Sequence, residues 1–198
     1  MKSYLYYQNT SQGAFTLIET LLVAGIISIA SAAAYITYDK VSVASFVSKE
    51  VDFLTGTMDK IASASTATDN FDQFTTTATG SVNPNLLVSG IIQPNFISGT
   101  MVVNNRNQNI WFVRSAVGAP AYKAISIVSS GYTSAECSSL ISKLQGRFDQ
   151  IGVTGGTTPG MAKTFGGIYD PAQGAAVCNS NNSTLSVSFL YANKGTTL

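Results

Sequence analysis

The chain has 198 residues, only 11% of them charged, and a formal net charge of +1, so it carries no electrostatic footprint for nucleic acid or for an anionic membrane face. Its length suits a single globular domain behind one apolar N-terminal block. With no His and two cysteines far apart in sequence, the commonest metal ligand, the commonest general base and any CxxC motif are missing, so no metal, cofactor or enzymatic reaction is expected.

The first 14 residues are polar, carry one Lys and lead into Phe15-Thr16-Leu17-Ile18-Glu19. The 19 residues from Thr20 to Tyr38 hold no charge, and at ~1.5 Å rise per residue a helix of that length just spans a bilayer core. Glu19 is anomalous there. A carboxylate beside a membrane segment costs on the order of 2–3 kcal/mol to bury unless it is neutralised or paired, and an ordinary secretory signal avoids one.

The run Gly13-Ala14-Phe15-Thr16-Leu17-Ile18-Glu19-Thr20-Leu21-Leu22-Val23 resembles the prepilin processing site of type IV pilins and their pseudopilin relatives. The resemblance implies a leader over 1–14, removed by a membrane prepilin peptidase, and N-methylation of the new first residue. A cut between Ala14 and Phe15 places Glu19 fifth, as in the family, and aligns without a gap. A cut after Gly13 restores the family's usual Gly before the cut but leaves Glu19 sixth. The resemblance also implies a role for Glu19: in the assembled fibre it meets the terminal ammonium of a neighbouring copy, so that two costly charges compensate each other. Two other readings stay open. Glu19 could sit at headgroup level in a monomeric anchor, and a plain signal peptide could be cut near Ala30-Ser31-Ala32.

After Tyr38 the helical period continues and turns amphipathic. Val47, Val51, Leu54, Met58 and Ile61 form an apolar stripe, with Lys49, Glu50, Asp52, Asp59 and Lys60 placed mostly elsewhere around the helix. One helix is therefore expected from Phe15 to about Ser65, its hydrophobic half over 15–38 and its second half at the start of a globular domain over 39–198. From Thr66 to Ser98 an ordered connector with short helical turns is expected, anchored by Phe71, Phe74, Leu86, Leu87, Ile91, Ile92 and Phe96. Met101–Val103 and Ile110–Val113 flank an Asn-rich turn, Tyr122–Val128 adds a third strand, and Leu185, Val187, Phe189 and Tyr191 alternate on a fourth. Thr133 and Glu136 read as a capping box for a short helix holding Cys137, with Gly146 as its stop. Gly152 to Gly174, with Pro159 and Pro171, reads as surface loops.

These elements predict an α+β fold, a long N-terminal helix packed on an antiparallel sheet with one buried face. Cys137 and Cys178 are an even pair in a chain with export features, which favours a disulfide over two buried free thiols; the loop it closes resembles the disulfide-bounded C-terminal region of pilins, leaning to the type IVb branch. Asn182-Ser183-Thr184 matches a glycosylation acceptor, with chance the better account in so Asn/Ser-rich a segment. Asp149, Lys163 and Asp170 read as solvated surface charges.

The function the resemblance implies is a structural subunit of a type IV pilus. Its partners would be copies of itself, the prepilin peptidase, the inner-membrane assembly machinery and, before assembly, the membrane. It would pass from a single-pass inner-membrane precursor to an extracellular filament. A minor pilin or tip adhesin and a type II secretion pseudopilin are the related alternatives, and a secreted globular protein behind an ordinary signal peptide is the alternative from another class.

Overall fold

Helix α1 runs Leu17–Thr68 in a computed structural model that describes residues 16–198 apart from 69–70, 77–80, 82, 84–85, 88, 118–121, 158, 180–183 and 198. Two compact units divide at Val41/Ser42. From Thr20 to Tyr38 the helix is uncharged and apolar on every side, and its large side chains, such as Ile29 at 74% relative exposure, are exposed. Three hydroxyls here turn inward on the helix: those of Thr20, Ser28 and Thr37 donate to the carbonyls of Leu17, Ala24 and Ala33 at 2.9, 2.8 and 2.8 Å. Such back-bonding spares a hydroxyl the need for water. This helix is long and apolar enough to cross a membrane.

From Ser42 on, α1 has one buried side. Val47, Leu54, Met58 and Ile61 are buried and Val51 is half-buried, as their spacing predicts. Each fully buried aliphatic of this stripe contributes about 1.5–3 kcal/mol. The connector that follows has 3-10 turns at Asp72–Phe74 and Pro94–Phe96. Phe71, Phe74, Leu86, Ile91, Ile92 and Phe96 are buried and Leu87 partly so, with the Phe96 ring centroid 4.1 Å from that of Phe53 on α1.

The sheet has seven antiparallel strands: β1 (Ile97–Ser98), β2 (Met101–Val103), β3 (Asn109–Val117), β4 (Tyr122–Tyr132), β5 (Gln150–Thr154), β6 (Gly160–Lys163) and β7 (Leu185–Thr197), in the order β1-β2-β3-β4-β7-β5-β6. The C-terminal strand thus fills the gap between β4 and β5. Across the inner face the register brings Phe112, Ile127, Phe189 and Ile151 into one row, and all four are fully buried. Such cross-strand apolar rows are the unit of sheet stabilisation. Helix α2 (Ser134–Leu144) has the expected capping box, with Thr133 as N-cap and Glu136 at N3, and buries Cys137, Leu140, Ile141 and Leu144.

The expectation of surface loops from Gly152 to Gly174 is wrong in three places. Strand β5 begins just before it and runs into it between β7 and β6, β6 lies within it, and helix α3 (Pro171–Val177) begins in it. Only Ile151 and Val153 point inward from β5, so two apolar residues suffice for a core strand. Helix α3 starts where Asp170 accepts from the Ala172 amide at 2.9 Å and Pro171 takes a first-turn position that needs no N–H. Asn182 and Ser183 of the acceptor pattern lie outside the described residues.

Candidate functional site

Three places carry the chemistry the sequence leaves unusual. The first is the start of α1. Glu19 lies in its first turn, where an acid favours the helix dipole, and its carboxylate is exposed. Among the described residues it has no hydrogen bond or ion pair, while its backbone N–H donates to the Thr16 carbonyl at 3.0 Å. Gly13, Ala14 and Phe15 lie outside the described residues.

The second is the excursion between β4 and β7. Cys137, in the first turn of α2, is bonded to Cys178, the C-cap of α3, across a separation of 41 residues. The chain-entropy model gives such a closure about 4 kcal/mol. Inside the loop, Gly174 faces the Tyr169 ring so closely that a Cβ there would lie 2.4 Å from the phenolic oxygen. Burial, and then the Asp170 charge, raise the Tyr169 phenol above its ordinary range. Of the three charges read as solvated, Asp149 and Lys163 are half-buried and Asp170 is exposed as read, and all three bond backbone groups. Lys163 donates to the carbonyls of Gln145 and Phe148, both at 2.7 Å, closing β6 onto the end of α2. Asp149 accepts from the Ala192 amide at 2.9 Å, holding the entry to β5 against β7. Asp170 caps α3.

The third place was missed from sequence, which put Glu50 off the apolar stripe. Glu50 is fully buried. The Tyr132 hydroxyl donates to its Oε1 at 2.8 Å, and Asn105 Nδ2 donates to Oε2 at 2.9 Å. Ser129 Oγ lies 2.6 Å from the Tyr132 oxygen and itself accepts from Asn104 Nδ2 at 3.1 Å. The next residue of the same β2–β3 turn, Arg106, pairs with Glu136, whose other oxygen accepts from the Thr133 amide at 2.9 Å. Arg106 also lies over the Phe46 ring, 4.9 Å from its centroid. Successive residues of one turn are thus fastened to α1, α2 and β4. Burial pushes the Glu50 carboxyl above its ordinary range, and the donors from Tyr132 and Asn105 only partly offset it. Burial first, then the Glu50 charge, put the Tyr132 phenol well above 10. A sequence signal existed: Glu50 is three residues after Val47 and four before Leu54, so helical spacing places it on the stripe.

Residues 9–35 match the family model of the prokaryotic N-terminal methylation motif. The structure is similar to the crystal structure of TcpA, a type IV pilin from Vibrio cholerae El Tor biotype, at a TM-score of 0.53 and 14% identity, covering 74% of this chain and 98% of that one. It is also similar to the crystal structure of a type IV b pilin from Salmonella typhi, at a TM-score of 0.49 and 14% identity, covering 76% of this chain and 99% of that one. No curated protein matches the sequence.

Proposed function

From the type IV pilin fold and the N-terminal methylation motif together, we propose that this chain is the structural subunit of a type IV pilus. A prepilin peptidase removes the leader at Ala14/Phe15, the new terminus is methylated, the apolar half of α1 holds the subunit in the inner membrane, and copies then polymerise through that helix into an extracellular filament. The observation that carries this reading is the apolar start of α1, exposed on all sides, with a carboxylate in its first turn that has no partner among the described residues. An apolar helix without a core needs lipid or other helices around it, and a carboxylate in that company needs a cation. The terminal ammonium of Phe15 in an adjacent copy supplies one.

The experiment is Glu19→Gln, which keeps shape and hydrogen bonding and removes the charge. The precursor still inserts, because the anchor becomes less polar. Assembly fails or thins greatly, because the neighbour's ammonium is left desolvated, and breaking one side of a buried pair costs about 3–5 kcal/mol. Wild-type amounts of sheared filament made only of the Gln subunit would contradict charge compensation by Glu19.

A further inference from the structure

A carboxylate kept out of water is held by a cation or by enough donors to replace its hydration. Glu50 is at 0% exposure, and among the described residues no cation is paired with it. Tyr132 faces it from β4 and Asn105 from the β2–β3 turn, both neutral donors. Arg106, the charge on that turn, is committed to Glu136 of α2 and to the face of Phe46. Lys49 and Asp52, its charged neighbours on α1, are exposed. The group is nonetheless bonded so that it can gain or lose a proton without breaking its contacts. Ionised, it accepts from Tyr132, while the Ser129 hydroxyl turns its proton to the phenolic oxygen. Protonated on Oε1, it donates to that oxygen, and Tyr132 donates to Ser129 at 2.6 Å. Oε2 accepts from Asn105 in both forms. Only the uncompensated charge differs.

We propose that Glu50 is a proton-responsive clasp: neutral, it closes the second half of α1 onto the β2–β3 turn and the end of β4, and on losing its proton to solvent it becomes a lone charge in the core that loosens this turn. Burial raises the Glu50 carboxyl in the folded protein. A carboxyl raised on folding contributes stability that is fully present below its unfolded value of about 4.3 and lost as pH rises through the folded value. The clasp therefore tightens in acid, opposite to the usual salt-bridged carboxylate.

The test uses the full chain in detergent micelles. Carbon-13 NMR follows the side-chain carboxyls of the three Glu residues, with Glu50→Gln giving the assignment, and denaturation is read by the fluorescence of Trp111, the single tryptophan. Glu50 titrates above the ordinary carboxyl range because burial disfavours its charged form, and each tenfold change in proton affinity between the unfolded and folded chain changes the folding equilibrium constant about tenfold between acid and neutral pH. Glu50→Gln lacks that component of the pH profile, and amide exchange at Asn105–Gln108, corrected for intrinsic base catalysis, quickens with pH in the wild type only. Titration of Glu50 at or below its ordinary value, or the same pH profile in both proteins, overturns the proposal. Should Glu50→Gln fail to fold, the wild-type carboxyl that titrates is assigned by selective labelling, and its midpoint decides alone.

Discussion

Single residues fix several junctions of this fold. Gly155, in the turn after β5, has φ +86°, and a Cβ there would lie 2.6 Å from the Thr184 carbonyl oxygen. Gly155→Ala therefore meets both a left-handed backbone and fixed main-chain atoms, and we expect it to lower stability by about 1–3 kcal/mol, read as a shift in the denaturation midpoint. Other residue-scale features were legible only in part. The Thr133/Glu136 capping box stands in the sequence as a local pattern three residues apart, and it forms. Glu136 also takes Arg106, 30 residues earlier, which no local pattern announces. Glu50 was misplaced because charge was taken as a sign of exposure, although the spacing from Val47 and Leu54 put it on the buried side. The same assumption misread Asp149 and Lys163, which are half-buried and bond backbone groups, whereas Asp170 is exposed as read and caps α3 as well.

At the level of elements, whatever declares itself by period was legible. Helix α1, the amphipathic stripe beyond Ser42, α2 and the alternation of β7 all follow from spacing alone. Strand β5 did not, because it carries only two inward apolar residues and sits between Gly-containing segments; its place in the sheet comes from long-range pairing with β7. Its contribution can be measured. Ile151 is fully buried opposite Phe189, so Ile151→Ala should cost about 2–5 kcal/mol, more than a surface loop residue would. An effect below about 0.5 kcal/mol in chemical denaturation would place Ile151 outside the core. The disulfide spans α2 and α3 rather than loop alone, so Cys178→Ser should lower stability by about 2–4 kcal/mol. The same denaturation series in non-reducing buffer reads that loss, and the free Cys137 thiol is then open to labelling only after unfolding, being fully buried.

For the whole molecule, an apolar helix without a core and a domain with a full one call for different surroundings. The domain from Ser42 onward has a core of its own, which includes Phe71, Phe74, Leu86, Ile91, Ile92 and Phe96 of the connector. In the proposed function the helix up to Val41 sits in lipid before assembly and among other helices after it. Processing is what joins the two states in the proposed function, because the cut creates the Phe15 ammonium that meets Glu19 of an adjacent copy. The most direct measurement is mass spectrometry of the N-terminus of subunits recovered from sheared filaments. The proposed function predicts a chain that begins at Phe15 and carries one added methyl group, whereas a start at Ala14 would move the register by one residue and leave the scheme standing. An intact Met1, or a chain beginning near Ala33, would contradict it.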